Sequence, residues 1–222
     1  LIKDANVKAR KIMVVEKAIA DGLGMDIDVK NSQGVLVVDI GYDTTEVSIL
    51  SLGGIVLSRL IKTGGLKFDE AVRQTVRREF NLLIGQKTAA TIRQSIGDLE
   101  KEGKGAVVYG RDIVVGLPVE REIPTDLINS CLEEHFNTII DSVKVILERT
   151  PPELGADIFK HGVYLTGGAS QTSHFAELLQ KSTGLKVNQA QRPLESVVLG
   201  MGRILKEDNY KSVAYAIEGM GK

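Results

Sequence analysis

The chain has 222 residues and a mass of 24.1 kDa, with 43% hydrophobic and 26% charged residues, which suits a soluble globular protein of one large domain or two small ones. A formal net charge of −1 offers no electrostatic case for nucleic acid or an anionic membrane surface. The single cysteine, Cys131, excludes a disulfide framework or a thiolate metal cluster and suits a reducing cytosol.

The sequence opens at Leu1 with no signal-peptide pattern, and without Met it reads as a processed chain or a piece of something longer. No apolar run approaches the ~18–20 residues of a membrane span. Residues Lys11–Val15 form a short apolar run expected to be a buried strand, and Glu16–Asp28 reads as a helix broken by Gly22 and Gly24. Asn31 to Gly34 is a turn. VLVVDI, hydrophobic on both faces, predicts a strand in a covered sheet. EVSILSL alternates apolar and polar residues, Gly53-Gly54 turns, and IVLSRLIKT returns, which together predict a strand meander.

From Lys67 the period changes. Phe68, Val72, Val76 and Phe80 recur at helical spacing, with Gly85 expected to end the helix. Thr88–Leu99 reads as a second helix with Thr88 as its N-cap. VVYGRDIVVGLPVEREI predicts a hairpin. Thr125 or Asp126 is expected to cap a long helix running to about Arg149 and stopped by Pro151-Pro152. GVYLTGG predicts a strand leading through a glycine turn into a helix, LKVNQA a further strand, and SVVLGMGRIL a small-residue helix before a polar tail. No internal repeat is visible. Strand sets alternating with helices predict an α/β fold, with Leu66–Pro124 inserted as a second lobe.

Three loops can carry chemistry. The first is Asp39-Ile-Gly-Tyr-Asp-Thr-Thr-Glu46: a strand ends in an Asp that can hold a metal-bound water, Gly41 lets backbone N–H groups approach a phosphate, and Thr44 and Thr45 add hydroxyls. The second is Leu165-Thr-Gly-Gly-Ala169, where Gly167, Gly168 and Ala169 precede a helix N-terminus, a seat for an anion. The third is Gly64-Gly65, ahead of a helix carrying Lys67 and Glu70, which suits a ribose contact or a hinge. Taken alone, each loop reads more simply as an ordinary turn or hinge. His135, His161 and His174 are scattered and make no metal site, Cys131 sits on an apolar helix side as a core residue, and Arg73–Glu79 reads as a solvated helix face.

Taken in order, Asp-Ile-Gly-x-x-Thr-Thr-Glu-Val, Gly-Gly-x-x-Phe-Asp-Glu-Ala, Asn-Leu-Leu-Ile-Gly, Gly-Arg-Asp-Ile-Val-x-Gly-Leu-Pro, Thr-Pro-Pro-Glu-Leu-x-Ala-Asp-Ile, Leu-Thr-Gly-Gly-Ala and Pro-Leu-x-Ser-Val-Val-x-Gly resemble the MreB/Mbl family of bacterial actin-like cell-shape proteins. That family lies within the actin, heat-shock chaperone and sugar kinase superfamily. The resemblance covers nearly all of the chain. It implies an actin-like ATPase (ribonuclease H-like) fold, and of that fold the second half, since the family's first Asp-x-Gly-Thr loop has no counterpart here. Residues 1–33 would then be the tail of the first subdomain. Residues 34–65 and 125–200 would form the large nucleotide-side subdomain, 66–124 an inserted smaller α+β lobe, and 201–222 a C-terminal helix and tail.

The resemblance also implies ATP or ADP with Mg, bound weakly or lost. Asp39 would hold the Mg through water, Thr44 would be the one candidate for a catalytic role, and Gly41, Thr44, Thr45, Gly64, Gly65, Arg93, Gly167, Gly168, Ala169 and Asp39 would contact the cofactor. Three departures strike the nucleotide chemistry. Tyr42-Asp43 stand where the family has Gly-Gly, adding a ring and a negative charge beside an anion. Lys17 takes the place of the family's water-polarising Glu, and an ammonium has no lone pair with which to orient water. Ala90 and Arg93 replace a Glu-x-x-Lys pair, so only the cation is kept. The function implied is a cytoskeletal filament subunit for cell shape and cell-wall organisation, at most a weak ATPase. Its implied partners are copies of itself and cell-wall or divisome-type membrane proteins, not nucleic acid. It would be cytoplasmic, reaching the inner face of the membrane through the other half or through partners rather than by insertion. The alternative is a kinase or chaperone-type ATPase of the same superfamily, against which Lys17 and Tyr42 count.

Overall fold

The computed structural model describes residues 12–216. Two sheets organise them. The larger has five strands in the order β3-β2-β1-β7-β8: β1 (Val35–Ile40), β2 (Thr45–Ser51), β3 (Gly54–Ile61), β7 (Val163–Thr166) and β8 (Val187–Gln189). β1 pairs antiparallel with β2 and parallel with β7, so it lies at the centre of a mixed sheet. The smaller sheet is antiparallel, built from β4 (Leu82–Leu83), β5 (Ala106–Asp112) and β6 (Pro118–Ile123). The helices are α1 (Lys17–Gly24), α2 (Gly65–Phe80), α3 (Gln86–Glu102), α4 (Thr125–Glu148), α5 (Pro152–His161), α6 (Phe175–Thr183) and α7 (Ser196–Lys206).

Side chains alternate across a strand, and here the alternation separates two cores. Leu36, Val38 and Ile40 of β1, with Val47 and Ile49 of β2 and Val163 and Leu165 of β7, join a large cluster with α2, α3, α4 and α6. Val37 and Leu50 face the other way and pack on Ala18, Ile19 and Leu23 of α1 and Ile204 of α7. The large sheet is therefore covered on both faces, which explains the unbroken hydrophobicity of VLVVDI. In the larger core, Phe68, Phe136 and Phe175 stack edge to face with centroids 5.4 and 5.2 Å apart, tying α2, α4 and α6 together. Each such pair contributes about 0.5–1.5 kcal/mol beyond its burial.

On the other face α1 and α7 cross almost backbone to backbone. A Cβ at Gly200 would overlap the Ala20 carbonyl, and one at Gly24 the Ser196 carbonyl. The two glycines set how close α1 and α7 lie to each other.

Several local expectations need correction. Lys11 lies outside the described residues, and the strand expected there is a single bridge between Val14 and Tyr215. α1 runs through Gly22 and ends at Gly24. α2 ends at Phe80 rather than Gly85, because Asn81 adopts φ 52 and Leu82–Leu83 pairs with β5. α3 begins at Gln86, with Thr88 inside its first turn, and Pro124 rather than Thr125 or Asp126 stands at the N-cap of α4. Pro152 opens α5 instead of only stopping α4, as suits a residue with fixed φ at a first helical turn. Between β7 and α6 lies a 3-10 turn, Gly168–Gln171, so the glycines do not lead directly into an α-helix.

Candidate functional site

The three glycine loops meet at one end of the large sheet. Gly65 N–H donates to the Gly41 carbonyl at 3.0 Å, and Leu66 N–H to the Tyr42 carbonyl at 2.8 Å. A Cβ on Gly64 would come within 2.6 Å of the Gly41 carbonyl oxygen, so this seam closes only without side chains. Gly65 faces Ala169, whose Cβ would lie 3.4 Å from one built on Gly65. Gly167 has φ 89, a backbone state favouring glycine, and any Cβ there would overlap the Asp39 carboxylate and the Ile40 carbonyl. The loops after β1, after β3 and after β7 thus meet in one closely packed backbone seam. Within the first loop, Gly41 N–H donates to the Thr44 carbonyl at 2.9 Å, closing the turn that carries Tyr42 and Asp43.

Asp39 lies on the α1 side of the sheet, because Val38 and Ile40 take the other side. In register it stands opposite Glu46 on β2 and Thr166 on β7. Thr166 Oγ1 is 2.6 Å from Ser196 Oγ, which fastens the start of α7 to the sheet. Lys17, the first residue of α1, sends its ammonium onto Asp39 Oδ2. One turn further along α1, Asp21 is buried to 1% exposure with Oδ2 lacking any hydrogen-bond partner. Its pKa is pushed up to about 7, chiefly by burial and also by the Glu46 charge, while Lys17 pulls it back. Three carboxyls, Asp21, Asp39 and Glu46, therefore share this face with one lysine. Glu46 is further held by hydroxyls, accepting from Ser48 at 3.1 Å and Ser58 at 3.4 Å.

The donor set at Asp39 does not fit a divalent cation. One oxygen packs against Gly167 and the other carries the Lys17 ammonium. Among the described residues no three His, Cys, Asp or Glu are grouped to hold a metal. At the glycine loops the N–H of Gly41 donates to the Thr44 carbonyl and that of Gly167 to the Pro193 carbonyl at 3.2 Å, so an anion there would be met by the neighbouring N–H groups of the same loops.

The remaining residues singled out in the sequence take varied positions. Thr44 stays on the loop, half-buried, whereas Thr45 is fully buried in β2 and donates its hydroxyl to the Thr63 carbonyl at 2.7 Å. Thr45 Oγ1 thus serves the loop seam. Arg93 is 5% exposed, its Nε 2.8 Å from Asp69 Oδ1 and its Nη1 2.8 Å from Thr172 Oγ1. This buried pair latches α2 and α3 to the segment before α6. The Tyr42 ring is 51% exposed, and its hydroxyl bonds Gln86 at the start of α3. One ring edge lies 3.4 Å from the position of a Cβ on Gly65, so the ring leans over that part of the seam.

Asp21, Glu46, Asp69 and Thr172 were not singled out from the sequence. Glu46 was findable in part, because the alternation in EVSILSL puts it on the face opposite Val47, while the β1–β2 register that sets it opposite Asp39 is seen only in the fold. Asp69 was findable as the only acid one turn into α2 on the Phe68–Val72 side. Nothing local marks Asp21, a polar residue between alanine and glycine in a helix.

The sequence profile of the MreB/Mbl protein family matches residues 2–213. The cell shape-determining protein MreB of Escherichia coli K12 is 38% identical over 200 residues, covering 89% of this chain and 58% of that protein. The cell shape-determining protein Mbl of Bacillus subtilis 168 is 34% identical over 208 residues, covering 92% of this chain and 62% of its own length. The chain therefore spans less than two thirds of either relative. Among solved structures, MreB5 of Spiroplasma citri bound to ADP superposes with a TM-score of 0.83 at 38% identity, over 89% of this chain and 60% of that one. The MamK double helical filament superposes at 0.70 with 20% identity, over 86% of this chain and 59% of that one, a likeness of fold.

Proposed function

We propose, from the premise that this chain belongs to the MreB/Mbl protein family, that it acts as a subunit of an actin-like filament in cell shape and cell-wall organisation, with a weakened adenine-nucleotide site. The fold is that of the actin-like ATPases. The observation that carries the nucleotide reading is the convergence of the three glycine loops on one backbone surface beside Asp39. MreB5 of Spiroplasma citri was crystallised with ADP and with AMPPNP, which supports placing a nucleotide there.

On this reading the backbone of Gly41 and Thr44 faces phosphate from one side and that of Gly167, Gly168 and Ala169 from the other. Gly64 and Gly65 keep the seam close. Arg93 contributes by positioning, since its guanidinium is held by Asp69 and Thr172. Tyr42 and Asp43 lower affinity by crowding and repulsion, and Lys17 leaves the chain without a base to activate water, so hydrolysis is slow.

The same proposal divides the chain into a large part, 34–65 with 125–200, a smaller lobe at 66–124, a preceding segment at 1–33 and a terminal one at 201–222. In support, the smaller sheet shares no strand pairing with the larger. Self-association is the partner reading. It is supported by the exposed apolar bend of the β5–β6 hairpin, where Val114, Val115 and Leu117 face solvent, a feature common at association surfaces. Cell-wall or membrane-associated partners at the inner face of the membrane belong to the same proposal. No helix among the described residues is long and apolar enough to cross a membrane.

The test is sedimentation of the protein with ATP, with ADP and without nucleotide. Pelleting that depends on protein concentration and responds to nucleotide supports a filament subunit. A protein that stays in the supernatant under all three conditions refutes it.

A further inference from the structure

We propose that Lys17 is a built-in counter-ion that takes over the role of a divalent cation at Asp39, so that the protein binds nucleotide without requiring magnesium. The inference rests on the nucleotide reading above and concerns the regulation of that same site.

The sheet itself creates a demand for positive charge here. Asp39 and Glu46 are direct partners in the β1–β2 register, on the same face, and like charges opposite each other destabilise an antiparallel pair. Asp21 adds a third carboxyl on that face, close enough for Glu46 to raise its pKa. A phosphate brought to the glycine loops would add more negative charge. Something must neutralise Asp39 before an anion can approach it, and in low dielectric the need is greater than in water.

The chain supplies that charge from α1. Lys17 is its first residue, the glycine crossing holds α1 against α7, and Gly22 lets α1 approach Leu50 of the sheet, its Cβ position lying 3.3 Å from the Leu50 side chain. Thr166 and Ser196 fasten the start of α7 to the strand next to Asp39. The ammonium is thereby delivered to Asp39 Oδ2 by a rigid frame. Asp39 is nearly buried while the Lys17 side chain remains 45% exposed, so the ion pair is reached from solvent on the lysine side. A metal-bound water would need the same carboxylate oxygen. Lysine is a compact point charge with three donors, able to face a carboxylate and a phosphate at once.

Calorimetric titration of the protein with ADP and with ATP, each in millimolar magnesium and in EDTA, tests this. The wild type is expected to show dissociation constants within about twofold across the two conditions. Lys17→Gln, which removes the charge, is expected to bind about tenfold more tightly with magnesium than in EDTA. Binding by the wild type only when magnesium is present overturns the inference and leaves the nucleotide reading standing. Magnesium-indifferent binding by both the wild type and Lys17→Gln removes Lys17 from the role. No binding of either nucleotide by any form, in magnesium or EDTA, overturns the nucleotide reading, and this inference with it.

Discussion

Asp21→Asn should make the protein more stable at neutral and alkaline pH and remove part of its pH dependence. Asp21 is buried on α1, with one carboxyl oxygen unpartnered. Its folded pKa is raised from 3.8 to about 7, mainly because burial disfavours the charged form. The folded state therefore holds a proton that the unfolded state releases between those two values. By linkage, stability is full below the unfolded pKa and falls as pH rises through the folded pKa, after which it is level. The window spans about three pH units, and each unit is worth about 1.4 kcal/mol, so the ceiling is about 4 kcal/mol. Water entry or relaxation around the carboxylate lowers that figure. Asn keeps the shape and cannot ionise, so it should match the wild type near pH 4 and gain on it steadily up to pH 7. Urea unfolding followed by circular dichroism at intervals from pH 4 to 9 measures the difference, in which titrating groups far from Asp21 cancel. Parallel stability curves for the two proteins across that range would refute the reasoning.

Arg93→Met should cost about 3–5 kcal/mol by leaving Asp69 charged and unpaired in the core, seen as a large fall in the urea midpoint. A loss below 1 kcal/mol would mean Asp69 finds water or a proton. Gly200→Ala should cost about 1–3 kcal/mol, because the new methyl meets the Ala20 carbonyl and forces α1 away from α7; calorimetric melting measures it. Replacing Tyr42 and Asp43 together by glycine should tighten ATP binding about tenfold, or about 1.4 kcal/mol, while hydrolysis changes little because Lys17 remains. An ATP affinity unchanged by that pair, read by calorimetric titration, would show that the loop was already competent.

Much of the fold was legible from local pattern. The both-faced strand around Asp39, the meander to Thr63, the helical period from Phe68 and the hairpin before Pro124 all appear where side-chain period and turn residues put them. These signals act over one turn or one strand, so a linear reading recovers them. Element ends were harder. α2 stops at Phe80 because Asn81 caps it in a left-handed conformation and Leu82 pairs with Asp112, thirty residues away, a pairing that no local signal announces. Arg93 was legible as a cation on α3, but its commitment to Asp69 and Thr172 depends on three segments meeting in the core.

The glycine loops around the candidate site could be picked out residue by residue, since backbone that must approach an anion or another backbone is written in glycine. What the sequence by itself determined was therefore the chemistry available: an acid ending a buried strand, three side-chain-poor loops, and a lysine opening a helix. Only the tertiary structure decided how these combine. Lys17 and Asp39 are brought together because β1 alternation turns Asp39 toward α1, and because Gly24 and Gly200 let α1 lie flush on a helix from the far end of the chain. The burial that lifts the Asp21 pKa arises from the same packing. Burial and charge pairing depend on which surfaces the whole chain presses together, a property that no short window of residues contains.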